Sequence, residues 1–289
     1  MNKSDSHFLV FSRPLAIFFL AVFLSACART TSVEKHGAGS ISEVQEVQPK
    51  EPLERPKFTI PLGEHMRFSI RWFGFEVGTA DVRVKEIIKV KDRDTFHIIV
   101  SVKSNRLIDL LWPVRDEHHS FVDTENLHSL RYEKKISEGP YRADEVMEYD
   151  QENHTARYRS RKNGTIKEML IPKDVQDQLS CTFWFRIQDM KPGDSIFIPV
   201  DADEKNWNLE VKVQNVEELN IDGFGKIKAI KAEPFAHFQG LFVRRGRVWG
   251  WMSADDRRIP LLMKAKVPKL GTINMVIVEY ELGNSHIKA

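Results

Sequence analysis

Beyond Phe58, apolar and polar residues alternate along most of the chain. Met66, Phe68, Ile70 and Trp72 fall on one face of a run whose other face carries Arg67, Ser69 and Arg71. The same period of two recurs in residues 77–86, 95–102, 207–213, 225–232 and 261–267. Such alternation, rich in Val, Ile, Phe and Thr, predicts half-buried strands. Asn163-Gly164 and Asp222-Gly223 punctuate the runs as hairpin turns, because both central residues of a type I′ turn need positive φ. Lys191-Pro192-Gly193-Asp194 is a further turn signal. The runs amount to roughly a dozen strands or more at antiparallel spacing.

Two stretches carry a helical period instead. Val175, Leu179, Phe183, Ile187 and Met190 lie on one stripe, with Asp174 placed to cap its start and Pro192-Gly193 to stop it. A shorter helical turn is expected over Asn105–Leu111, halted by Trp112-Pro113. The expected fold class is therefore mainly β: an antiparallel, strongly curved sheet or barrel-like domain with one main α-helix packed on it.

The N-terminus is patterned differently. Lys3 and Arg13 precede an apolar run, Pro14–Leu24, that is too short to span a bilayer as a helix and has the length of a signal-peptide core. The following Leu24-Ser25-Ala26-Cys27 resembles a bacterial lipobox. That resemblance implies a diacylglyceryl group on the Cys27 thiol, cleavage before Cys27, and a further acyl chain such as palmitate on the new amine. Two or more acyl chains anchor stably. Ala28, rather than Asp, follows the cysteine and resembles the outer-membrane-sorted class. Residues 28–57 are polar, with small residues and prolines, and read as a flexible tether. The organisation is then a leader over 1–26, a tether over 27–57 and a β-rich domain over 58–289.

Composition narrows the function classes. Lys and Arg number 43 against 41 Asp and Glu, for a net charge of +2; removing Lys3, Arg13 and Asp5 with the leader leaves +1. This balance gives no support for nucleic-acid binding. Lys and Arg recur through the strands, which argues against a lipid-facing transmembrane barrel. There are 2 Cys, and with Cys27 capped, Cys181 is a lone thiol set among Leu179 and Phe183, expected to pack as a small hydrophobe.

No pattern specifies an enzyme. His118 and His119 are adjacent, so on a strand they point to opposite faces and do not jointly grip a metal; His97 and His128 add no ligand spacing. Asp255-Asp256-Arg257-Arg258 reads as a salt-bridged turn, and Arg244-Arg245-Gly246-Arg247 as the solvated part of a hairpin. Nucleophile-elbow, dinucleotide and phosphate-loop motifs are all missing from the sequence. No catalytic residue, metal or cofactor is assigned. The remaining lead is aromatic. Trp249 and Trp251 share a strand face, opposite in parity to Phe242, and would bind ligand if the sheet curls around an apolar cavity.

Five segments in this order resemble the bacterial envelope family labelled domain of unknown function 3108: Ile70–Ala80, Trp112–Asp116, Val175–Ser180, Lys191–Asp194 and Trp251–Pro260. The likeness spans most of residues 60–282. It implies an exported, β-rich protein and carries over no catalytic residues. The chain departs from the pattern at Gln178, where a Pro would suit a helix's first turn.

These readings lead to a non-enzymatic lipoprotein, anchored in the outer membrane and facing the periplasm, that binds a hydrophobic or lipidic ligand. The alternative is a scaffold binding a protein or glycan partner in envelope assembly. A cavity favours the first, and an exposed apolar patch over a filled interior the second. Cys27→Ser is expected to abolish fatty-acid labelling of the protein in cells; persistent labelling would remove the anchor assignment.

Overall fold

A computed structural model describes residues 59–238, 241–242, 246–268, 270–282 and 285–288. The leader and tether, Cys27 included, lie outside the described residues, as do Arg244 and Arg245. The first half contains β1 (His65–Trp72), β2 (Phe75–Val90), β3 (Arg93–Ser104), α1 (Arg106–Asp109), β4 (Arg115–Asp123), β5 (Ser129–Glu138), β6 (Tyr141–Asp150), β7 (Thr155–Ser160) and β8 (Ile166–Leu170). After α2 (Ser180–Arg186) come β9 (Ser195–Asp201), β10 (Asn206–Ile221), β11 (Gly225–Phe238), β12 (Leu241–Phe242), β13 (Arg247–Ser253), β14 (Pro260–Val267), β15 (Gly271–Leu282) and β16 (Ser285–Lys288).

The alternating runs become strands of one antiparallel sheet. Its continuous path runs β8-β7-β6-β5-β4-β3-β2-β1-β15-β14-β13-β11-β10-β9, with β12 on β11 and β16 on β15 off the path. An outward meander from β1 to β8 and a second from β9 to β15 join where β1 pairs with β15. Period two decides what each face does. On β1, Met66, Phe68 and Ile70 are buried, while Arg67 on the other face bonds Asp81 and Glu279 of the flanking strands at 2.9 and 3.1 Å.

Among the described residues the sheet does not close, because its path ends at β8 and β9 without a ladder between them. A barrel would pair those edges. Here the segment after β8 fills the gap. Gln176 makes a parallel bridge to Val200, its N–H donating to the Pro199 carbonyl and its carbonyl accepting from Asp201 N–H, both at 2.8 Å. On the other side the Val175 carbonyl accepts from Ser129 N–H at 3.2 Å, and Gln176 Nε2 donates to the Leu127 carbonyl at 2.9 Å. The segment thus stitches the start of β5 to the free edge of β9.

Asp177 anchors that stitch. Its buried carboxylate accepts four hydrogen bonds: from Ser120 Oγ and Ser129 Oγ, each at 2.5 Å, and from Leu179 N–H and Ser180 N–H at 2.7 and 2.8 Å. Burial pushes its pKa up, and the hydroxyl and amide donors oppose that shift.

This arrangement corrects the expected helix. Only Ser180–Arg186 are α-helical, a span of seven residues. Asp174, the expected cap, sits at φ +54°, and the backbone groups of Val175 and Gln176 are taken by β5 and β9, so they cannot enter a helical ladder. Asp177 holds the first free amides instead. The apolar stripe is buried nonetheless: Leu179, Phe183 and Ile187 join the main core, while Cys181, Phe185 and Met190 face a second cluster under β9–β11 with Ile198, Val200, Trp207 and Leu209.

The main core is continuous. Phe68, Ile70, Ile98, Leu261, Ile277 and Tyr280 are fully buried within it. A buried bidentate ion pair pins α2 from the other side. Arg186 donates to both oxygens of Glu64 at 2.7 Å, and to the carbonyls of Arg258 and Arg257 at 3.0 and 3.2 Å.

Asp177→Ala would strand two buried hydroxyls and two amides. It is expected to destabilise the protein by about 3 kcal/mol or more, read as a lowered urea midpoint; an unchanged midpoint would show that the stitch contributes nothing.

Candidate functional site

One end of the sheet departs from the rule that buries apolar residues. Three connections meet there: the β1–β2 turn, the β3–α1–β4 link and the β14–β15 turn. Asn105 N–H donates to the Val77 carbonyl at 2.9 Å and its Nδ2 to the Glu76 carbonyl, tying α1 to β2. Trp72 Nε1 donates to the Leu270 carbonyl at 2.7 Å, tying β1 to the β14–β15 turn.

Between them lies an apolar recess of about 30 Å³, walled by Ile70, Trp72, Val77, Ile108, Trp112 and Ile273. That volume holds about one water molecule, so the recess is a dimple in the apolar wall. Trp112 closes one side by stacking on Gly139. A Cβ there would come within 2.7 Å of the indole, and the residue also sits at φ +49°, so glycine is needed twice over.

Around the recess stand Phe73, Phe75, Leu107, Leu110 and Leu111, between 71% and 84% exposed. Among the described residues, the only other large apolar side chain exposed to that degree is Leu170. Scattered exposed apolar residues are ordinary, but a cluster marks an interaction surface.

The backbone works to keep these side chains out. Phe73 and Gly74 form the two-residue link between β1 and β2, at φ +49° and +83°, and Trp72 pairs with Phe75 across it. Asn-Gly is the favoured sequence for such a turn. A Phe held in the left-handed region costs roughly 1–2 kcal/mol. α1 is a four-residue helix with no buried residue, marginal by itself. Asn105 Oδ1 caps it through Ile108 N–H at 3.0 Å, and its Asp109 accepts from Ser104 Oγ at 2.5 Å and from Arg115 Nη2 at 2.6 Å. The Arg115 guanidinium and the Ser104 hydroxyl hold the Asp109 pKa below the usual carboxylate range. This polar brace fixes α1 with Leu107, Leu110 and Leu111 turned to solvent.

A wider groove of about 640 Å³ crosses β3–β6 and reaches the β7–β8 link. Lys103, Arg115, Lys135, Arg142, Arg161 and Lys162 line it. Its acids are engaged: Glu117 bonds His119 at 2.7 Å, Asp144 meets Arg161 at 3.4 Å, and Asp116, its pKa raised by burial, accepts from Ser137 N–H at 2.9 Å.

The residues picked out in the sequence lie elsewhere. Trp249 and Trp251 do share a face, but neither lines the recess. Trp251 is buried, bonds Glu217 through Nε1, and lies between the ammonium groups of Lys231 and Lys264, each 5.2 Å from the ring centroid. Trp249 is half-buried under Arg247, which also forms an ion pair with Glu233 at 2.9 Å.

His118 and His119 point to opposite faces. His118 is buried against Tyr132 Oη at 2.7 Å, and burial drives its pKa down to about 3. His119 stacks near His97 and Phe121 on the outer face. Asp255 is part of a turn, accepting from Ser253 Oγ at 2.5 Å and Arg257 Nε at 2.9 Å. Cys181 is buried, and desolvation pushes its thiol up to about 12.

The exposed rim was not singled out in the sequence. Its signals were a Phe on each side of a turn glycine, and leucines crowded around a four-residue helix.

An open, curved antiparallel sheet with a filled interior defines a β-barrel-like protein. A solved structure of that description is similar to this chain: the β-barrel-like protein of domain of unknown function DUF1849 from Brucella abortus, with a TM-score of 0.52, 9% identity, and coverage of 78% of this chain and 99% of that one. The chain belongs to the family described as Protein of unknown function (DUF3108), whose model matches residues 67–278. A candidate lipoprotein from Parabacteroides distasonis aligns over 78% of this chain and 97% of its own, at 7% identity and a TM-score of 0.35, too low to bear on the fold. No curated protein matches the chain.

Phe73→Asn places the favoured residue in the turn. It is expected to leave stability unchanged or raise it by about 1 kcal/mol, measured by urea unfolding; a loss of that size would show that Phe73 packs rather than projects.

Proposed function

We propose that this protein is a non-enzymatic cell-envelope lipoprotein, anchored through Cys27, that engages an apolar partner at the open end of its sheet. The carrying observation is the rim of Phe73, Phe75, Leu107, Leu110 and Leu111, exposed around a recess too small to swallow a ligand. A carrier that encloses an acyl chain needs a cavity of several hundred Å³. The continuous core leaves contact at the surface as the better reading. The leader pattern supports an envelope location, and Ala28 supports sorting to the outer membrane with the domain in the periplasm.

A second reading retains ligand binding. The recess is mainly apolar in its walls, with Lys103 and Ser104 among its lining residues, and repacking of Trp72 and Trp112 would deepen it for the end of an acyl chain. Under that reading, native mass spectrometry of the purified protein finds bound lipid. Under it, Trp249 and Trp251 remain candidates for ligand contact, beside strand β14 residues Leu262 and Lys264 that border a separate space of about 320 Å³.

A photo-crosslinking residue at Leu110 tests the surface reading in living cells. It is expected to capture lipid or protein reproducibly, while the same residue at Lys212, on the far meander, captures neither. No adduct at Leu110, or equal adducts at both positions, would overturn it.

A further inference from the structure

The rim projects from turns, so its natural partner is a soft surface rather than a fitted pocket. Protein hot spots pair an anchor with a complementary hollow, and the recess here admits no side chain the size of Leu. Resting on the surface-contact reading above, we propose that the open end is a membrane-inserting tip that seats in an anionic phospholipid interface, with the apolar rim among the acyl chains and the adjoining basic side chains at the headgroups.

Three observations carry this. First, the apolar side chains come from two braced, neighbouring connections. Phe73 is displayed from a left-handed turn position that a Phe does not favour, and α1 is held by Asn105, Ser104 and Arg115 without burying a leucine. The Phe73 ring rests against Trp72, 5.1 Å between centroids, yet stays 71% exposed, so most of its apolar surface is left for a contact made outside the chain.

Second, charge is arranged as an interface requires. Lys103 and Arg106 are exposed beside the rim and form no ion pair among the described residues. The groove that starts there continues with Lys135, Arg142 and Lys162. Two of the nearby carboxylates are paired with arginines, Asp109 with Arg115 and Asp144 with Arg161; Glu117 bonds His119, and Glu76, exposed beside Phe75, keeps its charge and accepts from Ser69 Oγ at 2.7 Å. Lys103 and Arg106 are thus left for lipid phosphates, which draw basic groups at the membrane surface.

Third, the chain can reach. The residues between Cys27 and Thr59 span at most about 110 Å when extended, so an anchored domain can lay its tip on the leaflet that holds it.

The test uses the lipidated full chain with Leu110→Cys, labelled with an environment-sensitive fluorophore; Cys181 is buried and the Cys27 thiol is taken by its acyl anchor, so neither competes. The protein is reconstituted in vesicles of phosphatidylethanolamine and phosphatidylglycerol, with or without bromine on the acyl chains. A blue-shifted emission and quenching by the bromolipid are expected, with both effects reduced by Phe73→Asn or Lys103→Glu with Arg106→Glu. A label at Ser195→Cys, at the exposed start of β9, should stay water-like.

Water-like emission at position 110 in every vesicle overturns the proposal. Equal quenching in phosphatidylcholine vesicles overturns its anionic part. If position 110 is water-like yet captures a protein in cells, the surface reading survives and the membrane proposal fails. If it also captures nothing, both fail.

Discussion

The carboxylate of Asp177 is the point through which an open sheet keeps a closed sheet's shape. A curved antiparallel sheet with two free edges exposes its interior and its unpaired backbone. Here the free edge of β9 is tied back to β5 by a short segment whose backbone serves β5 on one side and β9 on the other. That segment has no ladder of its own, so its position depends on one buried acid taking two hydroxyls from the first meander and two amides at the start of α2. With Asp177 in place, Leu179, Phe183 and Ile187 enter the main core and Cys181, Phe185 and Met190 the second. Glu64 and Arg186 complete the attachment at the opposite end of α2, a pair whose partners would be strongly destabilising if left alone in the core. The filled interior follows from these two buried polar fixtures.

A filled interior moves function to the surface. The outer face of the sheet is polar and largely self-satisfied, with Arg67, Asp81 and Glu279 typical of its cross-strand pairing. The open end differs in kind. Asn105, Ser104, Asp109 and Arg115 brace it, its apolar groups face outward, and the unpaired Lys103 and Arg106 lie to one side. That inversion is local to three connections and has no counterpart in the buried core beside it.

Much of the fold was legible because period two is a local property. Each strand face could be assigned from residues such as Met66, Phe68 and Ile70 alone, and the opposite orientation of His118 and His119 followed from the same rule. The helix was overextended because spacing records burial, not hydrogen bonding: Val175 is as buried as a helical residue, yet its carbonyl belongs to β5. The open seam depends on Gln176 meeting Val200, a non-local contact that no periodicity announces. Trp249 and Trp251 drew attention by size, although Lys231, Lys264 and Arg247 cover their rings. The rim escaped notice because an apolar residue in sequence is first taken as a core residue. Only the placement of α1 beyond the strand ends shows that Leu107, Leu110 and Leu111 have no core to enter.

Hydrogen–deuterium exchange of the full chain, in lipid nanodiscs and in detergent-free solution, tests most directly whether the open end is the working surface. The account predicts added protection confined to residues 72–77, 105–112 and 270–271, with the interior strands unchanged. Protection centred on 249–264, or spread through the core strands, would contradict it.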